Sequence, residues 1–158
     1  MNWFHYAQEE QEWPPFPLRE GVGDTIHERD TPPDLSPEGG YIVFHGTSLK
    51  RARKILQERT ITHDDLGHVG FSTTSSEAAV YGCMKAMAEK DKSAVIRMEL
   101  DSQWFMSQSV SRETGGSGRN QFLINPSYSS RKKAVIPPEA IRDIRIVRMG
   151  GDDCNELA

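Results

Sequence analysis

Cysteine is almost missing from this chain: Cys83 and Cys154 are the only two. Two cysteines cannot build a disulfide framework, and neither stands at metal-ligand spacing, which excludes a disulfide scaffold and a zinc module. They read as free thiols in a reducing compartment, and the expected location is the cytoplasm. No run approaches the roughly 18 consecutive apolar residues of a membrane-spanning helix. The stretch Met1 to Trp13 lacks a basic region followed by an apolar one, so neither a membrane partner nor a secretory signal is expected. The Gly-x-x-x-x-Gly-Lys-Ser/Thr phosphate loop, the Gly-x-Gly-x-x-Gly dinucleotide turn and the Gly-x-Ser-x-Gly elbow are all absent. Five histidines have no cysteines or paired carboxylates at ligand spacing. His63-Asp64-Asp65 with His68 comes nearest to an ion site, and a solvated loop accounts for it, so no metal is expected.

What is present fits one soluble domain: 158 residues, 36% hydrophobic and 27% charged. Charge is unevenly spread. Residues 1–38 hold nine acidic and two basic side chains and six of the nine prolines, while the other 120 residues are weakly basic. Proline fixes φ and removes a backbone donor, so residues 1–38 form an acidic, proline-rich N-terminal arm rather than a helix or central strand. A linker is the favoured reading. The other is an arm whose Trp3, Phe4, Tyr6, Trp13 and Phe16 dock on the domain while its acids shield a basic surface.

The folded domain is expected over residues 39–150, with a fraying tail at 151–158. Tyr41–Phe44 reads as a buried strand. Thr47 or Ser48 caps a helix with Leu49, Ala52, Ile55 and Leu56 at helical spacing. Residues 60–65 break the pattern. Residues 70–74 form a second short strand, and Ser75 or Ser76 caps a second helix with Ala78, Tyr81, Met84 and Ala88 on one stripe. Alternation from Ser93 to Leu100 predicts a half-buried strand. A polar Gly/Ser-rich loop follows from Ser107 to Arg119, then a strand at residues 121–124. Pro137-Pro138 marks an entry turn, and residues 141–149 close the domain as an edge strand. This order predicts an α+β fold.

Three polar features interrupt the apolar strands. His45-Gly46-Thr47 ends the first strand with a glycine, where backbone can approach a ligand; a core histidine and a turn glycine would explain it equally. Gly67 to Ser76 is a hydroxyl-rich strand running into a helix N-terminus, a candidate wall for ribose or phosphate or simply a capped strand. The loop from Arg112 delivers Gln121 to the start of an apolar strand, and unstructured loops of this length are often functional.

Together, Phe44-His-Gly-Thr47, the Ala52/Ile55/Leu56 helix, Gly70-Phe-Ser-Thr-Thr74, the helix carrying Ala78 and Tyr81, and Asn120-Gln-Phe-Leu-Ile124 resemble the ADP-ribosyltransferase superfamily. More narrowly, they are similar to the diphtheria-toxin and poly(ADP-ribose) polymerase branch with its His-Tyr-Glu pattern. The likeness covers about residues 40 to 148. It implies a split antiparallel β-sheet with flanking short helices, and NAD as substrate. It gives His45 the NAD ribose, Gly46 the nicotinamide amide, and Thr47 support of the ribose turn. The stacking aromatic would fall at Ser72, which leaves Phe71 or Tyr81 to stack instead. The family's glutamate falls on Gln121, which can orient a ribose but brings no negative charge. Glu113, in the loop before it, is the candidate substitute.

The resemblance therefore implies an NAD-dependent ADP-ribosyltransferase of toxin or effector type, transferring a single ADP-ribose to a macromolecule, protein or RNA. Its site would be in the cytosol of its own or a target cell, and the acidic arm could lie across a basic cleft. Lys50-Arg-Ala-Arg-Lys54 and Arg131-Lys-Lys133 are the basic clusters that could steer such an acceptor. Two alternatives stand. RNA 2′-phosphotransferases share the His-Gly-Thr, a Pro-Pro turn and an Asn near Asn120, with Arg112 and Arg119 as phosphate ligands. An inactive module binding NAD or ADP-ribose would explain Ser72 and Gln121.

Overall fold

A computed structural model describes residues 12–19, 25–113, 119–127, 132–150 and Cys154. Strand β1 (Asp34–Leu35) precedes β2 (Tyr41–Ser48), helix α1 (Leu49–Glu58) and β3 (Ile61–Thr62). Strand β4 (Val69–Ser72) leads into α2 (Ser75–Glu89) and β5 (Ser93–Leu100). The short α3 (Ser102–Met106), β6 (Val110–Arg112), β7 (Gln121–Ile124), β8 (Val135–Ile136), a 3-10 turn (Pro138–Ala140) and β9 (Ile141–Met149) complete it. The architecture is α+β. The main sheet runs β6-β7-β4-β2-β5-β9 with β1 also on β2, all antiparallel, and β3 pairs with β8 apart from it. β9 is an edge strand, as its sequence indicates.

The register leaves one edge of β2 half unpaired. β5 pairs with β2 along its whole length, from Tyr41 to Ser48. On the opposite edge β1 takes Tyr41 and Ile42, and β4 takes Phe44 alone. From His45 onward no described strand occupies that edge, so the sheet opens between β2 and β4. The strand is longer than its apolar run, because β5 supplies a full ladder even to the polar His45-Gly46-Thr47 segment.

Ser48 caps α1, its hydroxyl accepting from the Arg51 N–H at 3.3 Å, and Leu49 and Ala52 are buried with Ile55 and Leu56 packed behind them. The α2 cap is Thr74 rather than Ser75 or Ser76. Thr74 is the last extended residue, and its hydroxyl accepts from the Glu77 N–H. The buried face of α2 is Ala78, Gly82, Cys83 and Ala86, not a stripe through Met84 and Ala88. Small residues let this helix lie directly on strand backbone. A Cβ on Gly82 would stand 3.0 Å from the Ala94 carbonyl oxygen, and one on Gly46 would run into the Ala78 carbonyl and the Gly82 nitrogen. The 107–119 segment is likewise not all loop, since Val110–Arg112 forms β6 against β7.

The linker reading fails for the described part of the arm. Trp13 and Phe16 pack on the core, where Phe16 sits 5.0 Å from Phe122 and 5.6 Å from Phe105, centroid to centroid. Leu18 bridges Val110, with Val110 N–H donating to the Pro17 carbonyl and Arg19 N–H to the Val110 carbonyl. Prolines are tolerated because only one edge of this segment is paired. Further on, the fold begins before residue 39, since β1 lies at Asp34–Leu35. Trp3, Phe4 and Tyr6 lie outside the described residues.

The cysteines are not free. Cys83 on α2 and Cys154, 71 residues apart in the chain, form a disulfide with Cα atoms 5.1 Å apart. Closing a loop of that length contributes on the order of 4 kcal/mol in the chain-entropy account. The expectation of free thiols falls, and with it the argument for a reducing compartment. Residues 151–153 and 155–158 of the expected fraying tail lie outside the described residues; Cys154 itself is buried and tethered.

Candidate functional site

A cavity of about 510 Å³ opens where β2 and β4 part, walled by α1 on one side and α2 on the other. That volume lies within the roughly 300–1,000 Å³ of small-molecule sites. His45, Gly46, Thr47, Tyr81, Glu113 and Gln121, drawn from four separate stretches of the chain, all line it. Phe71 and Ser72 do not. Phe71 is a correction to the expected stacking pair: strand alternation turns its ring into the core, 5.7 Å from Phe122 and 5.8 Å from Phe105. Of the two aromatic candidates, Tyr81 is the one at the cavity. Ser72 is wholly buried, and its hydroxyl donates to the Gln121 side-chain oxygen.

His45 is fixed from one side. Its Nδ1 lies 2.7 Å from the Gly70 carbonyl oxygen across the opening. A carbonyl only accepts, so Nδ1 carries the proton and Nε2 of the neutral ring is an acceptor. Burial lowers the imidazole's pKa below its ordinary value and the nearby Lys85 lowers it further, against the opposing bond to Gly70. The ring is therefore neutral at neutral pH.

Gly46 has a packing reason beside any ligand reason. Its missing side chain is where α2 meets β2, as the Ala78 and Gly82 contacts require. Thr47 is buried beside it.

Gln121 starts β7 opposite Ser72, and with its oxygen taken by Ser72 its amide nitrogen lies over Gly70, where a Cβ would come within 3.2 Å. It thus offers donors to the cavity rather than an acceptor. Glu113 stands across the end of the same hairpin, its N–H donating to the Gln121 carbonyl at 3.0 Å. Its carboxylate is felt inside the site. Burial, then the charges of Glu113 and Glu77, push the Tyr81 phenol up to about 12, so Tyr81 stays an O–H donor.

Sequence reasoning missed the group that sets this hairpin. Asp30, in the arm, takes Arg112 in a bidentate pair at 2.5 and 3.1 Å and accepts from the Asn120 N–H at 3.0 Å. Burial alone would raise the Asp30 carboxyl; hydrogen bonds from Arg112, Asn120 and His27 outweigh it and hold it below the ordinary range. Asn120 adopts a left-handed φ of 57°, which a short amide tolerates, and its side-chain oxygen accepts from the Thr31 N–H at 2.6 Å. The available signal was an arginine and an asparagine flanking a Gly-rich loop with an aspartate in an otherwise unfavourable proline-rich arm.

None of the described residues of 1–38 lines the cavity, so the described arm does not lie across it. His63, Asp64 and His68 line its far end, and among the described residues no group of three or more metal-ligating side chains converges. No described helix is long and apolar enough to cross a membrane. Arg131 of the second basic cluster lies outside the described residues. Comparison with protein-family models, curated proteins and solved structures finds no match to this chain.

Proposed function

We infer that the cavity is the site of an NAD-dependent ADP-ribosyltransferase, transferring one ADP-ribose to an acceptor. The supporting observation is that the residues matching the family pattern, far apart in sequence, meet at one opening of suitable size. In this reading the glycosidic bond between nicotinamide and ribose breaks, nicotinamide departs with the bonding pair, and an acceptor nucleophile bonds to the ribose carbon while losing its proton. Neutral His45 accepts a ribose hydroxyl at Nε2. Tyr81 supplies the ring for nicotinamide. Gln121, an amide with its oxygen held by Ser72, orients but cannot balance positive charge at the ribose; the Glu113 carboxylate beside it does.

Arg112 argues against the phosphotransferase alternative. Its guanidinium is buried against Asp30 and lies 5.2 Å from the Phe122 ring centroid, and neither it nor Arg119 lines the cavity. The test is nicotinamide release from NAD by the purified protein, beside His45→Ala. Release lost in the variant supports the reading. NAD binding with no release would favour an inactive binding module instead, and neither binding nor release overturns both.

A further inference from the structure

Asp30 lies in the arm, yet its side chain is fully enclosed and takes four hydrogen bonds, as many as a carboxylate has lone-pair positions. One is local, from the His27 N–H at 2.7 Å. The other three reach across to the last residue of β6 and the residue before β7: two from the Arg112 guanidinium and one from the Asn120 N–H. Neighbouring arm residues grip the same two. The Thr25 carbonyl accepts from Arg112 at 3.3 Å, and the Thr31 N–H donates to the Asn120 side chain.

Anchoring the arm does not ask for this. Trp13 and Phe16 already seat its earlier part on the core, and a buried ion pair stabilises a fold no better than apolar side chains of like volume. What a carboxylate and a guanidinium fork add is direction. That direction falls on the flanks of the site, for Arg112 precedes Glu113 and Asn120 precedes Gln121, and both of these line the cavity. Asn120 is also held at a left-handed φ of 57°, a conformation L-residues resist. Asp30 and Thr31 grip it from the arm, and the Thr73 N–H donates to its carbonyl at 3.0 Å from the end of β4. Backbone held off its preferred conformation by the contacts around it concentrates at functional sites.

We propose that Asp30 is a positioning residue of the site: through Arg112 and Asn120 it fixes where the Glu113 carboxylate and the Gln121 amide stand. The arm then completes a site that its described residues do not line. The β6–β7 ladder and the bond from the Glu113 N–H to the Gln121 carbonyl tie the two strands to each other. Asp30 ties both to a third segment and so sets their direction at the cavity. The effect on nicotinamide release rests on the transferase reading, whereas the placement of the Glu113 charge does not.

The experiment compares the parent with Asp30→Asn/Arg112→Met in the whole chain. Removing both buried charges leaves neither unpaired, so the variant is expected to fold, as its melting temperature checks. The kcat for nicotinamide release should fall about 10²-fold, the effect of misplacing a reacting group by about 1 Å, with KM for NAD changed far less. In a Glu113→Gln background the same double substitution should do much less, because the charge it misplaces is already gone. A merely structural role predicts equal losses in the two backgrounds. Equal losses, or full release by the folded variant, overturn the proposal. Tyr81 gives a reading free of activity, isolated by difference against Tyr81→Phe. Its phenol, at about 12 in the parent partly through Glu113, should titrate lower in the variant as that charge withdraws. An unmoved transition also overturns the proposal. If the parent releases no nicotinamide, the transferase reading falls and Tyr81 alone decides the positioning. Arg112→Lys keeps the buried pair charged and gives up only the fork, and it carries the same measurements should the double variant not fold.

Discussion

The two sides of β4 are built by opposite rules. Phe71 points into a closed aromatic group with Phe16, Phe105 and Phe122, and no polar atom is asked for. Gly70 and Ser72, its neighbours in the chain, point toward Gln121 and hold a carbonyl, a hydroxyl and an amide in fixed partnership beside an open cavity. Closed packing tolerates no loss of volume, whereas the polar side must keep space and free valences. An alternating strand can serve both at once. Substitutions should therefore separate into those that unfold and those that only disarm.

Gly46 is the sharpest exception, because it belongs to the cavity yet is wedged against α2 backbone. Gly46→Ala should cost more than about 4 kcal/mol or abolish folding, the range reached by backbone-level overpacking. Gly70→Ala would bring its Cβ to 3.2 Å from the Gln121 amide nitrogen with no backbone atom closer than 4.0 Å, and should leave stability within about 1 kcal/mol while disturbing the site. Urea unfolding of the two proteins checks this. Equal costs would mean that α2 does not bear on β2 at Gly46.

The next effect concerns the arm. Arg112→Met leaves the Asp30 carboxylate buried without its partner, with an expected loss of about 3–5 kcal/mol. Asp30→Asn/Arg112→Met removes both charges and should recover much of it. A single variant as stable as the parent would show that the arm is not anchored by this pair.

What the chain reveals of itself follows the range of the interaction. The β5 alternation and the spacing of Leu49, Ala52, Ile55 and Leu56 are local, and both elements stand as read. Thr74-Ser-Ser-Glu77 carried its own capping-box signature, which the neighbouring serines obscured. β6 was hidden because its pairing comes from β7 and the arm rather than from its polar residues. The Cys83–Cys154 and Asp30–Arg112 partnerships depend on where distant segments return, which no spacing encodes. Six residues singled out by their order, His45, Gly46, Thr47, Tyr81, Glu113 and Gln121, line one cavity, but the placement of Phe71 failed on strand parity, a fact available only once Ser72 was paired with Gln121.

On the polar side, Glu113→Gln keeps the side chain's size at a half-buried position and should leave stability within about 1 kcal/mol. Nicotinamide release should fall about 10²–10³-fold if its charge faces the ribose. The same variant has a readout independent of activity. Tyr81 titrates at about 12 partly because Glu113 is negative, so neutralising Glu113 should move the phenol's ultraviolet transition down toward 10. An unmoved transition would place the carboxylate away from the site.

The smallest effect comes from His45. Its folded pKa lies below the ordinary 6.5, so the unfolded chain binds the proton more readily. The contribution is complete above about pH 6.5 and is lost as pH falls from there toward the folded value, at ~1.4 kcal/mol per unit of difference. Asp30, with its carboxyl held below 3.8, acts in a separate window, losing its contribution only as pH falls through that lower range. Unfolding measured across pH 4 to 8 should thus show an early decline that His45→Gln removes and Arg112→Met does not. If the decline begins only near pH 4 in the parent, the imidazole is solvated rather than held neutral on Gly70. It could not then be the fixed acceptor that the transferase reading asks of it.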